Sequence, residues 1–176
     1  MKKQFTIHCV LIDTENNNSK DHLYVKVDTI ANHADLYEIS HSLMDPDTED
    51  SDSKLKQLFK TAPDYHLKVK SDLLIRLVDQ LGGIVIDGRT TDGKQTLLLF
   101  REKRLDDIVE AIGKALGGKN LLKTVPSLLS ILSENYETDM PIMDIVKTIL
   151  GEVNDLKDWK ADLIQVNEEN IASYRS

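Results

Sequence analysis

Cysteine is nearly absent from this chain. Cys9 stands alone among 176 residues, so no disulfide can form within it. Its neighbours Ile7 and Leu11 alternate with Thr6 and His8, the pattern of a buried thiol on a strand rather than of a nucleophile with a base beside it. The lack of cystine fits a cytoplasmic protein and equally a bacterial surface protein. Long apolar runs are missing too, and nothing approaches the roughly 18 residues that a spanning helix needs. The opening Met1-Lys2-Lys3-Gln4-Phe5 is basic like a signal peptide, but Thr6, His8 and Asp13 interrupt the apolar stretch too early. Two expectations stay open: a soluble, cytoplasmic protein, or one at the extracellular face of a bacterial membrane whose anchor has been removed. Positive charge is in deficit, with 22 Lys+Arg against 30 Asp+Glu, a net charge of −8. That balance excludes nucleic-acid binding by bulk charge.

Common catalytic signatures are also missing. Gly82-Gly83 lies between a helix and a strand, whereas phosphate loops run from strand to helix and carry further glycines or Gly-Lys-Ser/Thr. Histidines 8, 22, 33, 41 and 66 show no helical i, i+4 pairing, so no zinc motif is expected. No Gly-x-Ser-x-Gly elbow exists, and serines 127, 130 and 133 fall on one helix.

What is present is one ordered succession of elements. At 40% hydrophobic the chain can bury a sizeable core, and one domain over 1–176 is expected. Residues 5–12 and 22–31 read as strands, the second with Leu23, Val25 and Val27 on one face, and 36–39 as a third. Short loops between them predict an antiparallel meander within 5–42. The segment 45–53 holds five acids and no base; it lacks the glycine and terminal glutamate of a calcium loop and reads as a solvated, mobile loop. A short helix follows over 54–60. Ser71 is expected to cap a helix to about Leu81, ended by the glycine pair. Ile84–Ile86 reads as a buried strand, 89–93 as a turn, and 95–100 as another strand, its Leu97-Leu98-Leu99-Phe100 run suggesting burial on both faces. Helices are expected from Leu105 to Gly117, from Leu121 to Leu132 with Pro126 near its first turn or at a break, and from Thr138 or Asp139 with Ile142, Ile145, Val146, Ile149 and Leu150 inward. The tail from Asp155 carries a final strand around Leu163–Val166, and 168–176 is expected to fray. The fold class is α/β or α+β, a mixed central sheet flanked by helices.

One stretch runs against the overall charge. Arg89, Lys94, Arg101, Lys103 and Arg104 place five cations in 16 residues against Asp92 and Glu102, a local +3. Arg101 and Arg104 follow the expected strand directly, and two guanidiniums at a strand end can fork onto phosphate oxygens. Asp106 and Asp107 open the next helix, where carboxylates suit the dipole. The alternative is a surface Arg–Asp network that caps that helix.

From Tyr65 to Val153 the chain resembles the LytR–CpsA–Psr family of bacterial envelope proteins. The matching residues are VKSDLLIRLVDQLGGIVID (69–87), DGKQTLLLFREKRLDD (92–107) and a helical region containing LLSENYETDMPIMDIVKTI. In that family a helix ending in valine–aspartate–x–leucine–glycine–glycine leads to a strand, then to an arginine-x-arginine strand and an acidic residue. The resemblance implies a mixed sheet flanked by helices around a hydrophobic pocket for a polyprenyl-linked pyrophosphate. Members transfer glycopolymers such as teichoic acid to the cell wall, and many carry the label of transcriptional attenuator. The resemblance further implies that arginines hold the pyrophosphate, with magnesium held by phosphate and acids. Carried over, Arg101 matches the first arginine, Lys103 stands in the place of the second with Arg104 beside it, and Asp106 or Asp107 falls near the acidic position. The implied catalytic set is Arg101, Asp106 and Asp107, and the ligand-binding set is Arg101, Lys103, Arg104 and Arg89. The family's serine–isoleucine–proline–arginine–aspartate–threonine segment is replaced here by Glu38–Leu43, which holds no arginine. Its downstream arginine stretch is replaced by Ile108–Ile112. The implied function is therefore binding of a polyprenyl-pyrophosphate-linked glycopolymer, with phosphotransferase activity retained or degenerate. The alternative is a non-catalytic interaction or regulatory domain that keeps the scaffold.

Overall fold

The computed structural model describes residues 3–118, 121–141, 144 and 156–174. Strands β1 (Gln4–Asp13), β2 (Ser19–Asp28) and β3 (His33–Ile39) form the expected antiparallel meander. Helix α1 (Ser51–Phe59), strand β4 (Tyr65–Lys70) and helix α2 (Ser71–Gln80) follow. A hairpin of β5 (Ile84–Ile86) and β6 (Arg89–Thr91) leads into α3 (Gly93–Arg101), α4 (Leu105–Gly117) and α5 (Leu121–Asn135). Strand β7 (Tyr136–Thr138) and strand β8 (Lys160–Val166) complete a six-stranded sheet of order β7-β4-β1-β2-β3-β8. β4 lies parallel to β1 and β8 parallel to β3, so the sheet is mixed.

Strand alternation sorts the core into two faces. Cys9, Leu23, Leu36 and Ala161 point to one side, where Leu105 and Val109 of α4 cover them. Tyr24, Tyr37, Ile39 and Val166 point to the other, under Leu55, Leu58 and Phe59 of α1. A third cluster joins Val78 of α2 and Leu81 just after it to Ile84, Ile86 and Ile108. Cys9 is buried, and burial pushes its thiol up to about 12, as expected of an inert core residue.

Several expectations need correction. Residues 95–100 form the body of α3, not a strand. The Asp92 carboxylate accepts from the Gln95 amide at 2.8 Å while Gln95 Oε1 accepts from the Asp92 amide at 3.2 Å, a capping box that nucleates a helix. Its apolar run is divided, with Leu97 buried and Leu98 56% exposed. The segment 89–93 is not a turn: the reversal is Asp87-Gly88, both at positive φ, and Arg89–Thr91 pairs with β5. Ser71 is the first residue of α2, not its cap, and its hydroxyl accepts from the Thr14 amide at 3.1 Å. The acidic segment is organised: Asp47 pairs with Lys20, Asp50 caps α1, and Asp52 lies in its first turn. The tail does not fray over 168–174, where Ile171 is buried in the core beneath α1 and Tyr174 packs on Tyr37. Pro126 lies inside α5. Thr138, one of the two residues expected to cap the next helix, ends β7, and the other, Asp139, accepts from the His66 amide at 2.6 Å; of the residues 142–150 expected to form that helix, only 144 is described.

Candidate functional site

The residues that carried the family resemblance build a scaffold that aims Arg101. Asp79, near the end of α2, accepts the Gly93 amide at 2.8 Å, tying the start of α3 to α2. Gly93 is required there, since a Cβ would stand 2.4 Å from the Ile75 carbonyl oxygen. Arg101 therefore sits at the C-terminus of a helix, not of a strand, where a cation suits the dipole. The backbone reverses at Lys103, with φ 63°, and Arg104 precedes α4.

Arg101 meets β1. Its Nε donates to Asp13 Oδ2 at 2.7 Å, its Nη2 to Asp13 Oδ1 at 3.0 Å and to Glu15 Oε2 at 3.3 Å. Asp13 ends β1 and is 4% exposed, and the guanidinium holds its carboxyl below the usual range. Next to it Thr14 Oγ1 bonds Ser71 Oγ at 2.9 Å and Asp72 Oδ1 at 3.0 Å, fixing the β1 end to α2. Lys103 bonds Glu38, which also accepts from Gln165. Burial acts to lower the Lys103 ammonium, yet Glu38 and Asp21 leave it raised. Arg104 reaches Asp87 and Asp107, each at 2.8 Å. Asp106 accepts the Asp107 amide at 3.0 Å. Arg89 lies exposed on β6, its charge near Asp87. The structure thus gathers Arg101 and Lys103 around the end of the sheet, and gives Arg104, Arg89 and Asp107 a separate cluster about the hairpin.

One residue before each member of the Asp13–Arg101 pair, Ile12 and Phe100 enter the wall of an apolar cavity of about 180 Å³. Leu11 and Ile12 of β1, Leu73, Leu74 and Leu77 of α2, Leu97 and Phe100 of α3, and Leu105, Ile108 and Ile112 of α4 line it. Its polar lining is Lys70 and Ser71. Leu11, Phe100 and Leu105 also wall the small cleft where Lys103 meets Glu38. Chemically this is an apolar pocket whose neighbouring strand and helix ends carry paired cations and carboxylates.

Sequence reasoning missed Asp13, Glu15 and Glu38. The available signal was Asp13 closing the apolar run FTIHCVLI, a charged residue at the end of a central strand. It also missed a histidine group. The sheet register sets His66 of β4 beside His8 of β1, and His22 of β2 stacks on His8 with centroids 5.2 Å apart. His22 Nε2 donates to the Pro46 carbonyl at 3.1 Å, so its Nδ1 accepts from His8 Nε2 at 2.9 Å. His66 is held between Asp52 at 2.6 Å and Asp139 at 2.9 Å.

The mixed six-stranded sheet with its flanking helices makes this an α/β domain that is LytR–CpsA–Psr-like in fold. No protein-family model and no curated protein matches the sequence. Among solved structures, protein gbs0355 from Streptococcus agalactiae aligns with a TM-score of 0.72 at 16% identity, over 95% of this chain and 78% of that one. TagT bound to LIIa-WTA aligns with a TM-score of 0.68 at 12% identity, over 99% of this chain and 89% of that one. B. subtilis TagV aligns with a TM-score of 0.68 at 14% identity, over 99% and 96%. At these identities the likeness is one of fold.

Proposed function

We propose that this chain binds a polyprenyl-pyrophosphate carrier of a cell-envelope glycopolymer at the extracellular face of a bacterial membrane. The observation that carries the reading is the apolar cavity whose wall includes Ile12 and Phe100, the chain neighbours of the paired Asp13 and Arg101. At about 180 Å³ it is smaller than the roughly 300–1,000 Å³ of sites for drug-sized ligands, so it suits a segment of hydrocarbon chain with the headgroup outside. That TagT has been seen with LIIa-WTA supports a ligand of this class. Arg101 and Lys103 would face the diphosphate, with Arg104 and Arg89 on its outer side.

Magnesium fits this reading on chemical grounds. A diphosphate approaching Arg101 also approaches Asp13 and Glu15, and carboxylate and phosphate repel unless a cation stands between them. Asp13 and Glu15 offer the hard oxygens that magnesium prefers, and a carboxylate has lone pairs beyond those that Arg101 uses. The ion would supply charge neutralisation. Asp106 and Asp107 are the carboxylates for proton or metal handling in a phosphotransfer, with Asp107 constrained by Arg104. The second reading, a regulatory or interaction domain without turnover, is favoured by one observation: Arg101 and Arg104 are already paired with this chain's own acids.

Calorimetric titration with a short-chain polyprenyl pyrophosphate, with and without magnesium, tests the proposal. Micromolar binding that falls at least tenfold in an Arg101→Ala, Arg104→Ala double variant and in Leu77→Trp is the expected result. No binding by the unaltered protein would refute it and favour the regulatory reading.

A further inference from the structure

A different part of the sheet, away from the apolar cavity, brings three side chains with metal-ligating atoms together. β3 and edge strand β8 run parallel with Asp35 and Asp162 as register partners. His33 precedes Asp35 by two residues and so shares its face, the one opposite α4. His33 Nε2 lies 3.1 Å from Asp35 Oδ1 and 3.3 Å from Asp162 Oδ2, and all three donor atoms fall within 4.8 Å of one another. An ion with ligand bonds of about 2.0–2.2 Å in tetrahedral or octahedral geometry separates adjacent donors by roughly 3.0–3.5 Å. The two imidazole–carboxylate separations match those edges.

Charge points the same way. Two carboxylates meet one imidazole, and Lys26, although it lines the same cleft as His33 and Asp35, is in no ion pair with either carboxylate. Lys26, the register partner of Asp35, stands over the Tyr37 ring at 5.1 Å. Lys160, the register partner of His33, reaches Glu110. Among the described residues, His33 is the only base in an ion pair with Asp35 or Asp162. A cleft of about 350 Å³, walled in part by His33 and Asp35, leaves room for waters to complete a coordination shell.

We propose that His33, Asp35 and Asp162 form a site for a divalent transition metal, zinc being the best match, which ties edge strand β8 to β3. The imidazole separates this site from the all-oxygen cages that calcium and magnesium favour. Helical i, i+4 spacing does not reveal it, because its donors use the two-residue period of a strand and a second strand distant in sequence.

Titration of the full chain with zinc chloride near pH 7.5, monitored by calorimetry and by histidine ring proton resonances, reads this directly. One zinc per chain is expected, with micromolar affinity, a shift of the His33 resonance, and much weaker response to magnesium or calcium. His33→Ala and Asp162→Asn should each weaken binding at least tenfold. Their melting temperatures in EDTA, close to that of the unaltered protein, separate loss of the site from loss of the fold. Zinc should raise the melting temperature of the unaltered protein and leave those of the two variants where they are. Absence of zinc binding, or binding that both variants retain, overturns the proposal. So does binding abolished instead by His66→Gln, which would place the metal at the His8–His22–His66 group.

Discussion

Arg101 and Asp13 are 88 residues apart in sequence, yet the guanidinium closes on both oxygens of the carboxylate, at 2.7 and 3.0 Å. The pair links the C-terminus of α3 to the end of a central strand, each partner following a residue of the apolar cavity's wall. It places one charge that is nearly buried against one that is partly open, with side-chain exposures of 4% and 33%. Removing the open partner strands the buried one.

Arg101→Met should therefore lower the melting temperature at neutral pH and flatten its acid dependence. In the unaltered protein the Arg101 hydrogen bonds depress the Asp13 carboxyl. The stability gained is present above the ordinary carboxylate value near 4 and is lost as the pH falls through the folded value. Melting curves between pH 7 and 3 check this. A variant whose acid profile superimposes on the unaltered one would show that the pair contributes nothing.

The histidine group should give stability two opposed slopes. Burial, with repulsion from His22 and His66, pushes the His8 imidazole down from 6.5 to about 4. Between those values the unfolded chain binds a proton that the native chain does not, so stability falls as the pH drops, by roughly 3 kcal/mol in all. For His66 burial acts to lower the imidazole, and the bonds to Asp139 and Asp52 outweigh it, leaving it raised. Its contribution is complete below about 6.5 and fades as the pH rises through the folded value. His8→Gln should remove the acid-side loss and His66→Gln the alkaline-side one, read by urea unfolding at stepped pH.

The cavity makes two substitutions diverge. Ile108 is fully buried in its wall, and Ile108→Ala should cost about 2–5 kcal/mol of unfolding free energy by enlarging the void. Leu77→Trp projects into the same space and should leave the urea midpoint far less altered while blocking the polyprenyl ligand. Equal destabilisation by both would mean that the cavity wall cannot accommodate added volume.

Gly93 joins fold to site. Gly93→Ala forces a Cβ against the Ile75 backbone at 2.4 Å, and neither helix can yield without moving the other. A loss of about 1–3 kcal/mol is expected, from overpacking. Weaker diphosphate binding should accompany it, because α3 carries Arg101. Unfolding and calorimetry on the same variant test both consequences.

The local units follow from side-chain pattern along the chain. Alternation in 22–27 makes a half-buried strand, the spacing of Leu73, Leu74, Leu77 and Val78 makes a helix, and Ile108, Ile112 and Leu116 make another, because side-chain period decides which face meets the core. The motif LVDQLGG…DGKQ was legible too, although its work is structural: Asp79, the glycine turn and Asp92 place α3. The apolar run 97–100 was ambiguous, since four consecutive apolar residues satisfy either period and the capping box two positions upstream decided the outcome.

Tertiary structure alone decided the partners. Nothing in the chain's local pattern relates Arg101 to Asp13, Lys103 to Glu38, or His33 to Asp162. The last pair comes from the crossover that lays β8 beside β3, and the first two from the packing of α3 on α2, which returns residues 101–103 to the sheet. A residue's period is set by its neighbours in the chain, whereas its ligands are set by which strand the sheet places next to it.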